Sequence, residues 1–304
     1  MSFDKIEPRS DIAPGNLYPD RLSDLAANLE NNSIKQISET IHGKNYIYNT
    51  SGDPSGPVMI HLHGLVWSKD NFRAQMEDPL LQGYHHIAFD LHTDVQDNKK
   101  ITDIDWLIDY IQAFLWYKKC SDIALHGVSL GWEIAYKFAA TYPNLISKLI
   151  LSWASGLQHE NLSLWTANFF AIMKDKTKLQ EKIKEQFAKP ESISIEVING
   201  LTNDIQGLFE SRAWLAWTMA FAKHSTKAPI EKNKAILQTI GHIPTYLLWW
   251  SEDKITPFEL IKDWFSTALN LPEDRIHLFA SGHTPNIECP AEYNKILQSI
   301  FKKS

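Results

Sequence analysis

Four short apolar runs, each ended by a polar or glycine-containing bend, recur along the first half of the chain. They are Val58 to Leu62, His86 to Asp90, Asp122 to Gly127 and Lys148 to Trp153. Brief continuous runs rich in branched residues are the pattern of strands buried on both faces. Amphipathic stretches of helical length, Asp103 to Trp116 and Trp132 to Tyr142, lie between the later runs. The alternation predicts a parallel sheet flanked by helices. Two further strand-like stretches, Ile34 to Ile41 and Asn45 to Tyr48, come first and are hinged at Gly43. After Gly156 the strand pattern stops, and Asn161 to Thr239 reads as helical. It returns at Ile243 to Trp250 and Arg275 to Phe279, ahead of a final helix over Ala291 to Phe301. The organisation expected is a polar, proline-bearing arm over residues 1–33, an α/β core over 34–156 and 241–304, and a helical cap over 157–240.

Composition narrows the picture. A length of 304 residues with 44% hydrophobic and 22% charged residues suits one large α/β domain carrying an insertion. The net charge of −6 argues against a nucleic-acid partner, which needs a basic face to neutralise phosphates. Cys120 and Cys289 alone cannot build a disulfide framework. The first residues carry charges where a secretion signal needs an apolar core, and no apolar run approaches the roughly 20 residues that span a bilayer. These features predict a cytoplasmic protein, monomer or homodimer, with no membrane partner. The 11 tryptophans are the unusual feature, and the 12% aromatic content predicts an aromatic-rich surface or pocket.

The strongest chemical signal is Gly127-Val128-Ser129-Leu130-Gly131, set between a strand ending at His126 and a helix beginning at Trp132. A turn that tight forces its serine into a strained backbone conformation, and only small residues fit beside it. The hydroxyl then projects from the sheet edge, with a helix N-terminus behind it that favours developing negative charge. A serine hydroxyl is a weak nucleophile and needs a positioned base with an acid behind it. Two loops at strand carboxyl ends supply candidates in the required order. Ser251-Glu252-Asp253-Lys254-Ile255-Thr256-Pro257 follows one strand, and Ala280-Ser281-Gly282-His283-Thr284-Pro285 follows the next.

With these residues in place the chain resembles the α/β-hydrolase family from about Ile34 to Phe301. The resemblance is carried by His63-Gly64, the Asp90-Leu91 strand end, the serine bend, the Asp253 loop and Gly282-His283. It implies an α/β-hydrolase fold, a mostly parallel sheet flanked by helices with a helical cap insertion. It also implies Ser129 as nucleophile, His283 as general base and Asp253 as the carboxylate orienting it. The backbone N–H groups of Leu65 and Leu130 would form the oxyanion hole, and no cofactor would be needed. Trp132, Trp250 and the Leu91-His92-Thr93-Asp94 turn depart from the usual pattern and bear on pocket shape. Glu252 is the neighbouring rival to Asp253, and Asp94 and Asp105 are outside alternatives for the acid.

Other residues weigh less. His61 and His63 form an H-x-H pair, but Leu65-Val66-Trp67-Ser68 supplies none of the further ligands a metal pair needs, so no metal is expected. Trp165, Phe169 and Met173, and Trp214, Trp217 and Phe221, recur at helical spacing in the cap, with Leu208, Leu215 and Met219 on another stripe of the same helix as the second set. Such stripes either fill the cap core or roof a pocket over Ser129, with Trp67, Trp132 and Trp153 as its floor. The reading is a serine hydrolase cleaving an ester or lactone of a bulky, largely apolar small molecule, macrolide-like rings or acyl lactones included. Its rivals are a carbon–carbon bond hydrolase using the same triad with Arg212 on an anionic substrate, and a non-catalytic ligand receptor.

Overall fold

The structure, a computed structural model, describes residues 34–65, 67–91, 104–154, 170–210, 230–252 and 268–302. β1 (Lys35–Ile41) and β2 (Lys44–Gly52) form an antiparallel hairpin, and β2 pairs antiparallel with β4 (His85–Phe89). From there every pairing is parallel, through β3 (Val58–Leu62), β5 (Ile123–Ser129), β6 (Ile146–Ala154), β7 (Thr245–Trp250) and β8 (Ile276–Phe279). The eight strands lie in the order β1-β2-β4-β3-β5-β6-β7-β8. Parallel neighbours cannot be joined by tight turns, so the connections are helices: α1 (Ile104–Lys118) between β4 and β5, and α2 (Leu130–Thr141) between β5 and β6.

Helices on both faces explain why the central strands read as unbroken apolar runs. All six residues of β7 are buried, with Leu247 and Trp249 in one core and Tyr246, Leu248 and Trp250 in the other. The first core takes the stripe Leu107, Ile108, Ile111, Phe114 and Leu115 of α1, and Ile134, Ala135 and Phe138 of α2. The second is closed by Phe72 and Met76, from a helical turn after β3, and by Tyr293, Ile296, Leu297 and Ile300 of the last helix.

Between β6 and β7 the described residues form α3 (Lys176–Lys184), α4 (Ile195–Phe209) and α5 (Ile230–Thr239). Asp175 caps α3 by accepting from the Lys178 N–H, and Ser194 caps α4 by accepting from Val197. Leu179 and Ile183 of α3 are buried, as are Ile198 and Ile205 of α4, and α5 packs on α2. Within the stretch read as helical from Asn161 to Thr239, α3 ends at Lys184 and a 3₁₀ turn at Pro190–Ser192 precedes α4. Pro190 has no N–H for a helical bond and its ring clashes with the preceding turn. The helix carrying Leu208 ends at Phe209, so the single helix expected to run from Leu208 to Met219 is corrected. The expected arm over 1–33 lies outside the described residues. No helix among them is long and apolar enough to cross a membrane.

Chain termination keeps the pattern. After β8 come a short helix α6 (Pro285–Glu288) and the amphipathic α7 (Pro290–Lys302). A buried amide cluster ties this end to the helical turn after β3. Gln75 donates to the Asn286 carbonyl and to Asn294 Oδ1, and Asn286 donates to the Asn71 carbonyl.

Candidate active site

Ser129 closes β5 and stands at the N-cap of α2 with φ 54° and ψ −121°. A non-glycine residue rarely adopts this conformation, and holding it costs of order 1–3 kcal/mol. Its surroundings hold it there. A Cβ added to Gly127 would lie 2.2 Å from the Gly131 carbonyl oxygen, and one added to Gly131 would lie 2.0 Å from that of Leu62. Strand and helix therefore approach through these two glycines, as the spacing in the sequence predicts. Leu130 follows as the first residue of α2, where backbone N–H groups have no helical acceptor.

The loop after β3 lies directly against this serine. A Cβ built on Gly64 would be 2.9 Å from Ser129 Cβ and 3.3 Å from its Oγ. Two pins from the end of β4 hold the loop. His63 is buried, with Nδ1 2.7 Å from the Gly64 carbonyl and Nε2 3.0 Å from the Leu91 N–H. Because the Leu91 amide donates, Nε2 accepts, and Nδ1 carries the proton given to Gly64. Asp90 accepts from the Lys69 backbone N–H at 2.9 Å and lies 3.4 Å from its ammonium, which also meets Asp70 at 2.9 Å. Burial opposes the Lys69 charge, but Asp90 and Asp70 outweigh it and hold the ammonium above its ordinary range. Leu65 is buried next to the bend, and Trp67 is buried with its ring edge 3.2 Å from the Gly64 Cβ position. Replacing His63 with Ala would take the acceptor from the Leu91 N–H, while the Gly64 C=O would keep the Trp67 N–H at 3.2 Å. At about 1–3 kcal/mol for one buried unpaired group, chemical denaturation should register a loss of that size.

His283 sits on the loop between β8 and α6, half-buried, with its ring edge-on to Trp250 at 6.3 Å between centroids. Its main-chain N–H donates to the Gln186 carbonyl. Asp253, three residues beyond the end of β7, lies outside the described residues, as do Asp94, Trp165, Arg212, Trp214 and Trp217 and the side chain of Trp153. Asp105 is exposed on the first turn of α1. Trp132 is fully buried, edge-to-face with Tyr136 at 4.7 Å, and its ring is part of the core.

The H-x-H pair diverges. His63, past the end of β3, pins the loop, while His61, inside β3, joins a buried chain of hydrogen bonds. His86 Nε2 lies 2.9 Å from the Leu81 carbonyl, and its Nδ1 lies 2.9 Å from His61 Nε2. His61 Nδ1 is 3.0 Å from His126 Nδ1, His126 Nε2 is 2.7 Å from the Tyr293 hydroxyl, and Ser152 Oγ is 2.8 Å beyond. A carbonyl only accepts, so with one proton on each ring the Leu81 oxygen sets the direction of every bond. His86 donates to Leu81, His61 to His86, His126 to His61, Tyr293 to His126 and Ser152 to Tyr293. Burial favours the neutral form of all three rings, the state in which this direction holds. Burial, reinforced by the neighbouring rings, pulls His126 down to about 3 and His61 well below its ordinary value, and burial pulls His86 down to about 4. Each ring nitrogen of His61 and His63 is thus engaged within the protein.

Sequence reasoning missed this chain, the Lys69 pin and Glu288, whose carboxylate receives backbone donors beside His283. The three histidines belong to strands whose adjacency is not visible in sequence. Asp90, noted only as a strand end, was the available signal for the Lys69 pin.

No protein-family model matches the chain. The uncharacterized hydrolase YugF of Bacillus subtilis is 26% identical over 290 residues, 86% of this chain and 96% of that one. Among solved structures, a serine hydrolase from Cycloclasticus zankles superposes with a TM-score of 0.71 at 18% identity, over 89% of this chain and 98% of that one. The 2-hydroxy-6-oxo-6-phenylhexa-2,4-dienoate hydrolase of a Rhodococcus species superposes with a TM-score of 0.70 at 18% identity, over 89% and 100%. A mostly parallel eight-stranded sheet, a serine at the strained bend after its fifth strand and these neighbours together identify the chain as having the α/β-hydrolase fold.

Proposed function

We propose that this protein is a serine hydrolase that cleaves a carboxylic ester or lactone of a bulky, largely apolar small molecule. The observation that carries the reading is Ser129 itself, held at φ 54° on the first turn of α2 with its Oγ against the Gly64 backbone. That geometry has a cost in stability and makes sense where a hydroxyl must meet an electrophile beside backbone donors. The similarity to YugF, named a hydrolase, and the esterase and serine hydrolase among the structural neighbours support the same reading.

In this proposal Ser129 Oγ attacks the carbonyl carbon as His283 takes its proton. The oxyanion that forms is met by the N–H groups of Leu65 and Leu130. As the carbonyl re-forms, the alcohol leaves with the proton from His283, and the acyl group stays on Ser129. Water then attacks the acyl-enzyme, giving its proton to His283, and the acid departs as Ser129 regains its hydrogen. Asp253 holds the imidazole in the tautomer this sequence needs. Trp67 beside Gly64, with Trp153, Trp165, Trp214 and Trp217, would line an aromatic pocket with little charge.

A panel of chromogenic esters of graded acyl size, together with lactones, tests the substrate class. Trp217→Ala should weaken turnover of large esters more than of p-nitrophenyl acetate, and equal losses would assign that side chain to structure. Asp253→Asn should lower kcat by about 10⁴-fold with folding unchanged, because an amide favours the wrong imidazole tautomer. Near-normal activity would move the acid to Asp94 or Asp105. The Rhodococcus neighbour, named for a dienoate, favours a second reading in which the same residues cleave a carbon–carbon bond of an anionic substrate. Arg212 would then bind the carboxylate, and the panel should include such a substrate.

A further inference from the structure

Glu288, the last residue of α6, stands between the loop bearing His283 and a turn of the insertion about 100 residues earlier in the chain. Its Oε2 accepts from the Gly282 N–H at 2.6 Å. Its Oε1 accepts from the N–H groups of Ala188 at 3.0 Å and Lys189 at 3.2 Å. The two backbone segments also meet directly, since the His283 N–H donates to the Gln186 carbonyl. Their separation leaves no room for a side chain. A Cβ on Gly282 would lie 2.4 Å from the Ala188 nitrogen, 2.5 Å from the Gln186 oxygen and 2.6 Å from the Phe187 carbonyl carbon. Phe187 itself is buried in the core shared with α3.

We propose that Glu288 is a positioning residue, whose carboxylate clamps the turn at residues 186–189 onto the Gly282-His283 loop and so makes cap seating and placement of the His283 ring a single structural event. The argument is one of donors and acceptors. Three backbone N–H groups converge on one carboxylate, and hydrogen bonds to an ionised acceptor are roughly twice as strong as neutral ones. An amide in its place has one acceptor oxygen and a donor NH₂, so at least one side of the clamp would face donor against donor. Displacing a catalytic group by about 1 Å costs on the order of 10²-fold in rate. A cap that lifts from this loop would therefore carry the base out of register without touching it chemically. The catalytic part of this inference rests on the serine hydrolase reading, while the clamp itself does not.

The test compares wild type with Glu288→Gln and with Gly282→Ala, which wedges the same contact from the opposite side. Three readouts are taken on the full chain: amide exchange, the His283 Cε1–H chemical shift at fixed pH, assigned by its loss in His283→Ala, and kcat and KM on p-nitrophenyl acetate. In both variants the amides at 186–189 and 281–283 should exchange about ten-fold faster or more while those of β5 and β6 stay protected. The His283 shift should move, and kcat should fall by about 10- to 100-fold with KM changed much less. Faster exchange with an unmoved His283 shift and unchanged kcat would overturn the proposal, leaving Glu288 as a structural clamp alone. Unchanged exchange would overturn it outright. If wild type hydrolyses no ester while exchange and shift respond as expected, the clamp stands and the serine hydrolase reading fails.

Discussion

Ser129→Ala is expected to lower kcat/KM by at least about 10⁴-fold on any ester the wild type cleaves, while the protein remains folded. Members of a nucleophile–base–acid set act as a unit, so removing the attacking oxygen leaves only binding and the oxyanion donors. Folding should hardly notice. The Ser129 side chain makes no capping hydrogen bond to α2, and alanine at φ 54° bears the same backbone strain as serine. The thermal midpoint should therefore stay within a few degrees of wild type. Ser129→Gly should be equally inactive, with part of the strain of order 1–3 kcal/mol relieved. Activity within ten-fold of wild type in Ser129→Ala would place the chemistry elsewhere.

The second large effect is a steep loss of stability on mild acidification. His61, His86 and His126 are neutral in the folded protein, with values pulled far below the ordinary 6.5 for His61, to about 4 for His86 and to about 3 for His126. Once unfolded they titrate near 6.5, so below that pH the unfolded chain binds protons that the native state refuses. Stability is whole above the unfolded value and falls as pH drops toward the folded ones. Each such group contributes up to about 1.4 kcal/mol per pH unit, so three lose roughly 5–6 kcal/mol between pH 6.5 and 5. That is a large share of a stability that is typically about 5–15 kcal/mol. Hydrogen bonding reinforces the effect, because a proton added to any ring sets two donors face to face unless every bond beyond it reverses. The lowered carboxyls of Glu39 and Asp70 lose their contribution only in the more acidic carboxylate range, while Asp204 and Glu288, raised by burial, oppose the slope from the carboxylate side. Denaturant unfolding from pH 7.5 to 5 should show the slope, and a flat profile would contradict the neutral, buried chain.

Much of the fold was legible because parallel strands advertise themselves. Val58 to Leu62 and the run ending at Gly127 are apolar on both faces, and Ser129 sits where such a run meets helical periodicity. The glycines flanking that serine follow from steric need, which is why the spacing predicted the bend. What stayed hidden depends on adjacency across the sheet. His61 faces His126 directly in the pairing of β3 with β5, and His86 faces Met59, two residues from His61 on the same side. Nothing local to any of these histidines signals the other two. Glu288 was hidden for a related reason, since its partners Ala188 and Lys189 come from a distant insertion. An aromatic residue such as Trp132, in the first turn after the bend, looks the same in sequence whether it faces a pocket or the core. Only its packing against Tyr136 decides. Pro190 was readable as a position no helix runs through, and it opens the 3₁₀ turn between α3 and α4.

The whole account requires the Ser129 hydroxyl to be activated by His283. Intact-mass measurement after exposure to a fluorophosphonate tests this most directly, with the modified peptide then sequenced. One phosphonyl group on Ser129, formed rapidly in wild type and at a small fraction of that rate in His283→Ala, is the predicted result. No adduct on Ser129, or an equal rate without the imidazole, would contradict it.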